Sequence, residues 1–191
     1  MIIDEIRYRI LDIAKKQVGL IGPAMASLIG FEGSRFEREL YRPFRMVSGR
    51  TTGVSTCGLV AEGIWHLAGI EIPSEWRPYA PAGNSARSIS RAVDFGKTYG
   101  AMRLPGVGSD PRAGDYVVIG GYGLGGTEHA LTLMELNEDE VFSIDGGMVA
   151  ENGLQTVKRV ARNRNGWFFG ARKVQCWIDV ASLPYRQLEA L

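Results

Sequence analysis

Residues 129–145 read His129-Ala130-Leu131-Thr132-Leu133-Met134-Glu135-Leu136, then Asn137-Glu138-Asp139-Glu140, then Val141-Phe142-Ser143-Ile144-Asp145. Two apolar, extended runs flank an acidic turn-forming tip, which is the pattern of an antiparallel hairpin. The same extended character holds on either side of it. Residues 115–119 form a short apolar run entered through Pro111-Arg112-Ala113-Gly114. Residues 154–160 and 171–180 read as further strands, separated by the turn Asn163-Arg164-Asn165-Gly166.

Before residue 100 the period is helical. Ile3, Ile6, Ile10 and Ala14, with Leu11, line one side of an amphipathic N-terminal helix, and Asp4, Arg7, Lys15 and Lys16 lie elsewhere. Gly19 and the Gly22-Pro23 pair end it. A second helix is expected over 24–40, interrupted by Gly30 and Gly33. A polar loop over 51–56 leads to a helix that starts at Cys57, stops at Gly69 and is fenced by Pro73. Asn84-Ser85 is expected to cap one more helix, with Ile89, Val93 and Tyr99 apolar, ending at Gly100. Helices first and strands afterwards predict an α+β domain with an antiparallel sheet.

The chain has 191 residues, 45% of them hydrophobic, enough for one sizeable core and most simply a single domain over 1–191. A net charge of +1 gives no global field that would draw nucleic acid or a membrane surface. No apolar run is long enough to span a bilayer. The start, Met1-Ile2-Ile3-Asp4-Glu5-Ile6-Arg7, does not read as a secretory signal, because acidic residues interrupt it. Synthesis in the cytoplasm without a signal peptide is the expectation. Two cysteines and two histidines at 57, 176, 66 and 129 contain no short paired ligand motif, so neither a metal nor another cofactor is expected. Cys176, in the alternating run Lys173-Val174-Gln175-Cys176-Trp177-Ile178, reads as a buried structural thiol.

Cys57 is the residue with chemical potential. Thr56-Cys57-Gly58-Leu59-Val60 puts a thiol in the first turn of a helix, where free backbone N–H groups and the helix dipole favour a thiolate. The thiolate is the nucleophilic form, and it needs a base. At about 100° per residue, His66 projects opposite to Cys57, whereas Val60, Ala61 and Ile64 share the cysteine's face. His66 is therefore expected at the surface. His129 follows a glycine-rich loop over 120–126 and opens a strand, which leaves it as the base. Glu128 alternates away from His129 and is expected in solvent.

These motifs, in this order, resemble the NlpC-type cell-wall cysteine peptidases, a papain-like family with the CHAP amidases as near relatives. The resemblance runs over roughly 51–180. It rests on Cys57-Gly58-Leu59-Val60 through Ala68-Gly69-Ile70-Glu71-Ile72-Pro73, on Gly114-Asp115, on His129-Ala130-Leu131, and on Trp167-Phe168-Phe169-Gly170-Ala171-Arg172-Lys173. Thr56 and Gly58 stand where the family usually has aspartate and serine. The resemblance implies a papain-like core over 51–180 preceded by a helical part over 1–50. It also implies acyl transfer to Cys57 with His129 as base, and the Cys57 backbone N–H as oxyanion donor.

It further implies a polar residue on the strand after the histidine strand, which orients the imidazole. Asp145 is the counterpart here. If the hairpin turns on Glu138-Asp139 without a bulge, Asp145 falls opposite Thr132, on the wrong face. An odd-numbered loop, or one bulge near the glycines, would bring it opposite Leu131 and onto the His129 face. Asp145 is thus either the orienter or a turn residue before Gly146-Gly147, with Ser143, of the same parity, as the second candidate. The basic stretch Lys158, Arg159, Arg162, Arg164, Arg172 and Lys173 is either a solvated strand pair or a surface for a carboxylate-bearing substrate. Trp167, Phe168 and Phe169 read as core.

The substrate class implied is an amide of the peptidoglycan peptide stem, cut by an endopeptidase or amidase. A phage enzyme or a secreted antibacterial effector fits, with an immunity protein or a secretion machine as possible partners and the cell wall as the place of action. Two other readings keep the scaffold: a deamidase or transglutaminase-like toxin acting on a host protein, and a non-catalytic binding module.

Overall fold

The computed structural model describes residues 3–19, 45–47, 50–52, 57–71, 88–120, 129–146, 156–163 and 167–185. Helices α1 (Ile3–Gln17), α2 (Cys57–Ala68) and α3 (Ser88–Thr98) precede most of the strands. A small hairpin, β1 (Arg45–Val47) with β2 (Arg50–Thr52), stands apart from the main sheet. The main sheet has seven antiparallel strands: β3 (Met102–Arg103), β4 (Tyr116–Gly120), β5 (His129–Leu136), β6 (Glu140–Asp145), β7 (Thr156–Asn163), β8 (Phe168–Phe169) and β9 (Arg172–Ile178). Their order is β3-β9-β4-β5-β6-β7-β8, and β8 also pairs with β9. Every strand of this sheet except β3 therefore belongs to a closed ring. The α+β class with an antiparallel sheet is as the sequence predicts.

Closure divides the core in two. Outside the ring, Ile6, Ile10 and Ala14 of α1 and Val60, Ala61, Ile64 and Trp65 of α2 pack on Tyr116, Val118, Ala130, Ile144, Cys176 and Ile178. Trp65 anchors this layer, with its ring 4.9 Å from that of Tyr116 and 6.4 Å from that of Phe95. Inside, the alternate residues Val117, Ile119, Leu131, Leu133, Val141, Val174 and Trp177 meet with Phe169. Period-2 alternation thus serves two apolar faces, each burying side chains worth roughly 1.5–3 kcal/mol apiece. Phe169 is buried in the interior and the half-buried Trp167 stacks on Trp177 at 5.6 Å, whereas Phe168 is half-buried on the other side, so the core reading holds in full only for Phe169.

Helix ends fall where glycine predicts them. Gly69 and Gly100 both have positive φ. Each stop carries the paired bonds of a Schellman motif: Gly69 N to His66 O with Ile70 N to Trp65 O, and Gly100 N to Lys97 O with Ala101 N to Gly96 O.

Two expectations are corrected. Residues 51–52, read as part of a polar loop, lie in β2, whose partner β1 falls in the part read as helical. The two-residue strands β3 and β8 carry no periodicity and went unread, although β8 closes the ring. The helix expected over 24–40, the cap at Asn84-Ser85 and the turn residues 164–166 lie outside the described residues.

A buried charge cluster pins α1 to the barrel. Arg7 donates from Nη1 to Asp115 Oδ1 and to Ala113 O, both at 2.7 Å, and from Nη2 to Asp179 Oδ1 at 2.6 Å. Asp115 also accepts from the backbone N–H of Arg112 and of Val180. Burial pushes the Asp115 carboxyl up to about 6, although the Arg7 charge pulls it down. A raised carboxyl favours the fold most when protonated, and that contribution is lost as pH climbs through about 6. Arg7→Met is therefore expected to destabilise by about 3–5 kcal/mol where Asp115 is charged. Urea denaturation should show a smaller loss at pH 5, where the orphaned carboxyl takes a proton, than at pH 7.5. Equal losses at the two pH values would refute the pairing.

Candidate active site

His129 is the first residue of β5 and pairs with Ile119 of β4. The β5–β6 hairpin turns about Glu138 and Asp139, with Leu136 opposite Val141 and Glu135 opposite Phe142. In that register alone Asp145 would face Thr132. The register instead slips between Leu133 and Glu135, where Met134 is the extra residue, and Asp145 comes opposite Leu131. The bulge expected near the glycines is present but sits at the other end of the hairpin. Its effect is the one required: His129, Leu131 and Leu133 share a face with Ser143 and Asp145.

Diagonal neighbours on paired strands are within reach of long side chains. His129 Nε2–H accordingly donates to Asp145 Oδ2 across 2.8 Å. The other carboxylate oxygen, Oδ1, accepts from Ser143 Oγ at 2.6 Å. All three residues are buried, so these bonds form largely out of water. The Asp145 reading as a mere turn residue does not describe this geometry.

Cys57 is the first residue of α2 and hydrogen-bonds with His129. With Nε2 taken by Asp145, Nδ1 is the ring nitrogen left for the thiol. Burial opposes a charged imidazole, but the hydrogen bonds with Asp145 and Cys57 and the negative charges of both outweigh it, raising His129 to about 9. The attraction is reciprocal. A charged ring favours a negative partner beside it, and the first-turn N–H groups of α2, buried with Cys57, act the same way.

One close approach keeps the helix start against the sheet. A Cβ built on Gly146, the residue after Asp145, would lie 2.6 Å from Val60 Cβ in the first turn of α2. Glycine lets the end of β6 and the cysteine helix touch.

Other residues fall differently. His66 is half-buried rather than freely exposed. Cys57 and Cys176 are both buried, and neither is in a disulfide. Within the basic stretch, Arg159 makes a two-pronged pair with Glu140 and lies over the Phe142 ring, while Arg162 pairs with Asp110 and with Asn137 O. Those two arginines serve the fold, whereas Arg172 and Lys173 are exposed. Glu128, Arg164 and most of the glycine-rich loop lie outside the described residues. Among the described residues no three His, Cys, Asp or Glu side chains cluster as a metal site would need. No described helix is long and apolar enough to cross a membrane. The role of Ser143 as donor to Asp145 was missed, although shared parity two residues apart was the available signal.

Comparison with protein-family models, with curated proteins and with solved structures finds no match to this chain.

Cys57 is 3% exposed and Cys176 6%, so access alone gives Cys57 no advantage. Iodoacetamide at pH 7 is nevertheless expected to alkylate Cys57 at least tenfold faster. Equal rates, read by mass spectrometry of the two tryptic peptides, would remove the electrostatic argument.

An imidazole raised from roughly 6.5 to about 9 stabilises the fold fully below 6.5, and the contribution disappears as pH rises through 9. Asp145→Ala should therefore lower the His129 titration midpoint in NMR and draw the alkaline limb of Cys57 alkylation to lower pH. A midpoint that does not move would contradict the coupling.

Gly146→Ala forces a clash at Val60 and should cost about 1–3 kcal/mol, the usual range for overpacking. Thermal unfolding and Cys57 alkylation should both report it, the second as a slower rate. A variant equal to the parent in both would show that the contact is not constraining.

Proposed function

We propose that the chain is a thiol-dependent hydrolase of the papain-like type, acting on an amide of the peptidoglycan peptide stem. The observation that carries the chemistry is the continuous buried chain from Cys57 through His129 to Asp145, with the thiol at a helix start. The substrate class rests on the resemblance to NlpC-type peptidases.

In this reading the Cys57 thiolate attacks the amide carbonyl, and the C–S bond forms as the carbonyl π pair moves onto oxygen. The Cys57 N–H at the α2 start donates to that oxyanion. His129, held as imidazolium, gives its Nδ1 proton to the departing amine as the C–N bond breaks. Asp145 keeps Nε2–H directed away from the thiol and fixes the ring. Water then adds to the thioester with His129 as base, releasing the acid and restoring the thiol.

Peptidoglycan lies outside the cytoplasm, so this reading includes delivery by lysis or specialised secretion. It includes an immunity protein where the producing cell shares the scissile bond.

Purified muropeptides incubated with the protein should yield new products of one amide hydrolysis by mass spectrometry. Cys57→Ala should abolish them. His129→Ala should be nearly as damaging, by about 10²–10⁴-fold, and His66→Ala close to neutral. Unchanged muropeptides with ammonia released from a protein glutamine would transfer the same site to protein deamidation. No turnover of either substrate, with a Cys57 no more reactive than free cysteine, would leave only a binding scaffold.

A further inference from the structure

The proposed site contains a fourth side chain whose placement the three-residue scheme does not use. Ser143 is 2% exposed and stands two residues before Asp145 on β6, so the two share a face. Its Oγ–H is 2.6 Å from Asp145 Oδ1, while Oδ2 is held at 2.8 Å by His129. The carboxylate is thus gripped at both oxygens by donors from two strands. Resting on the reading above, we propose that Ser143 is a positioning residue, which locks the plane of the Asp145 carboxylate so that Oδ2 stays in line with the His129 ring.

The physical case is one of directionality. A strand side chain has more than one staggered χ1 open to it, and aspartate adds a broad χ2. Asp145 alone can rotate its carboxylate while staying on the same face. A hydrogen bond weakens steeply once misaligned, so rotation would loosen the Nε2 contact without moving the backbone. A donor on Oδ1 removes that freedom.

A second effect runs the other way. A donor on Oδ1 draws charge from the carboxylate, which alone would weaken its pull on the ring proton. Alignment should dominate, because losing the 2.8 Å contact removes the interaction, whereas polarisation only scales it. Among the described residues, the charged and titratable groups placed beside the pair are Cys57 from α2, His129 from β5 and, as the register partner of Ser143 on β7, the half-buried Lys158.

The test needs no substrate. NMR titration of the two histidine rings is combined with the pH profile of Cys57 alkylation in the parent, Ser143→Ala, Ser143→Thr, Ser143→Val and Asp145→Ala. The His129 midpoint in Ser143→Ala should fall between those of the parent and Asp145→Ala, and the alkaline limb should move with it. Threonine should restore the parent values and valine, nearly isosteric with it, should not. That pair carries the comparison if the alanine variant fails to fold.

A midpoint that stays in place or rises in both hydroxyl-free variants overturns the inference, even if their melting temperature drops. A parent whose His129 titrates near an ordinary imidazole, with Cys57 no faster than Cys176, overturns the underlying reading and this inference with it. The parent measurement thus separates the two failures.

Discussion

The site depends on where the extra residue of the β5–β6 hairpin falls. With a perfect ladder about Glu138 and Asp139, Asp145 would lie on the face of Thr132, and His129 would have no carboxylate beside it. Met134 breaks the count between Leu133 and Glu135, and His129, Leu131 and Leu133 then share a face with Ser143 and Asp145. A period of two makes such a slip all-or-none: one inserted residue moves each later side chain to the opposite side. The interior residues Leu131 and Leu133 hold the register that results, because slipping back would turn both out of the barrel.

That arrangement then has to hold charge out of water. Among the described residues, two ionic clusters sit largely out of water, and they respond to burial in opposite ways. Asp115 is raised to about 6 because burial outweighs the pull of Arg7, so its charge is carried against the preference of its surroundings. His129 is raised to about 9 although burial again opposes charge, because two negative partners and their hydrogen bonds exceed the desolvation. The difference lies in the balance of sign around each group. Arg7 serves both Asp115 and Asp179, whereas the single imidazole stands between Asp145 and Cys57. The first cluster ties α1 to the sheet, and the second holds a proton next to a thiol.

The helix start at Cys57, the glycine stops at 69 and 100, the long strands and the hairpin were all legible in the chain. Each is encoded by residues within a few positions of one another. His129 and Cys57 were legible as partners because so few alternatives existed. Asp145 was legible only as a conditional, since its face hinged on a bulge that no local pattern announces. The closing strand β8 was hidden because two residues are too few to show a period; its pairings with β7 and β9 are short hairpins, and the non-local step that completes the ring is the β4–β9 ladder.

By itself the sequence determined the local grammar: which segments twist into helices, which alternate, where they stop, and that a thiol heads one helix. These follow from backbone preferences and side-chain period, which act over a handful of residues. Tertiary structure alone decided that the sheet closes on itself, that Arg7 reaches Asp115 and Asp179, and that Gly146 must be bare where Val60 passes. It alone placed the bulge at Met134 and set Ser143 on Asp145. A bulge disrupts its own stretch of the ladder, and its place is chosen by what the shifted side chains meet. Here they meet an apolar interior on one face and the helices α1 and α2 on the other, and both surfaces exist only once the chain has folded.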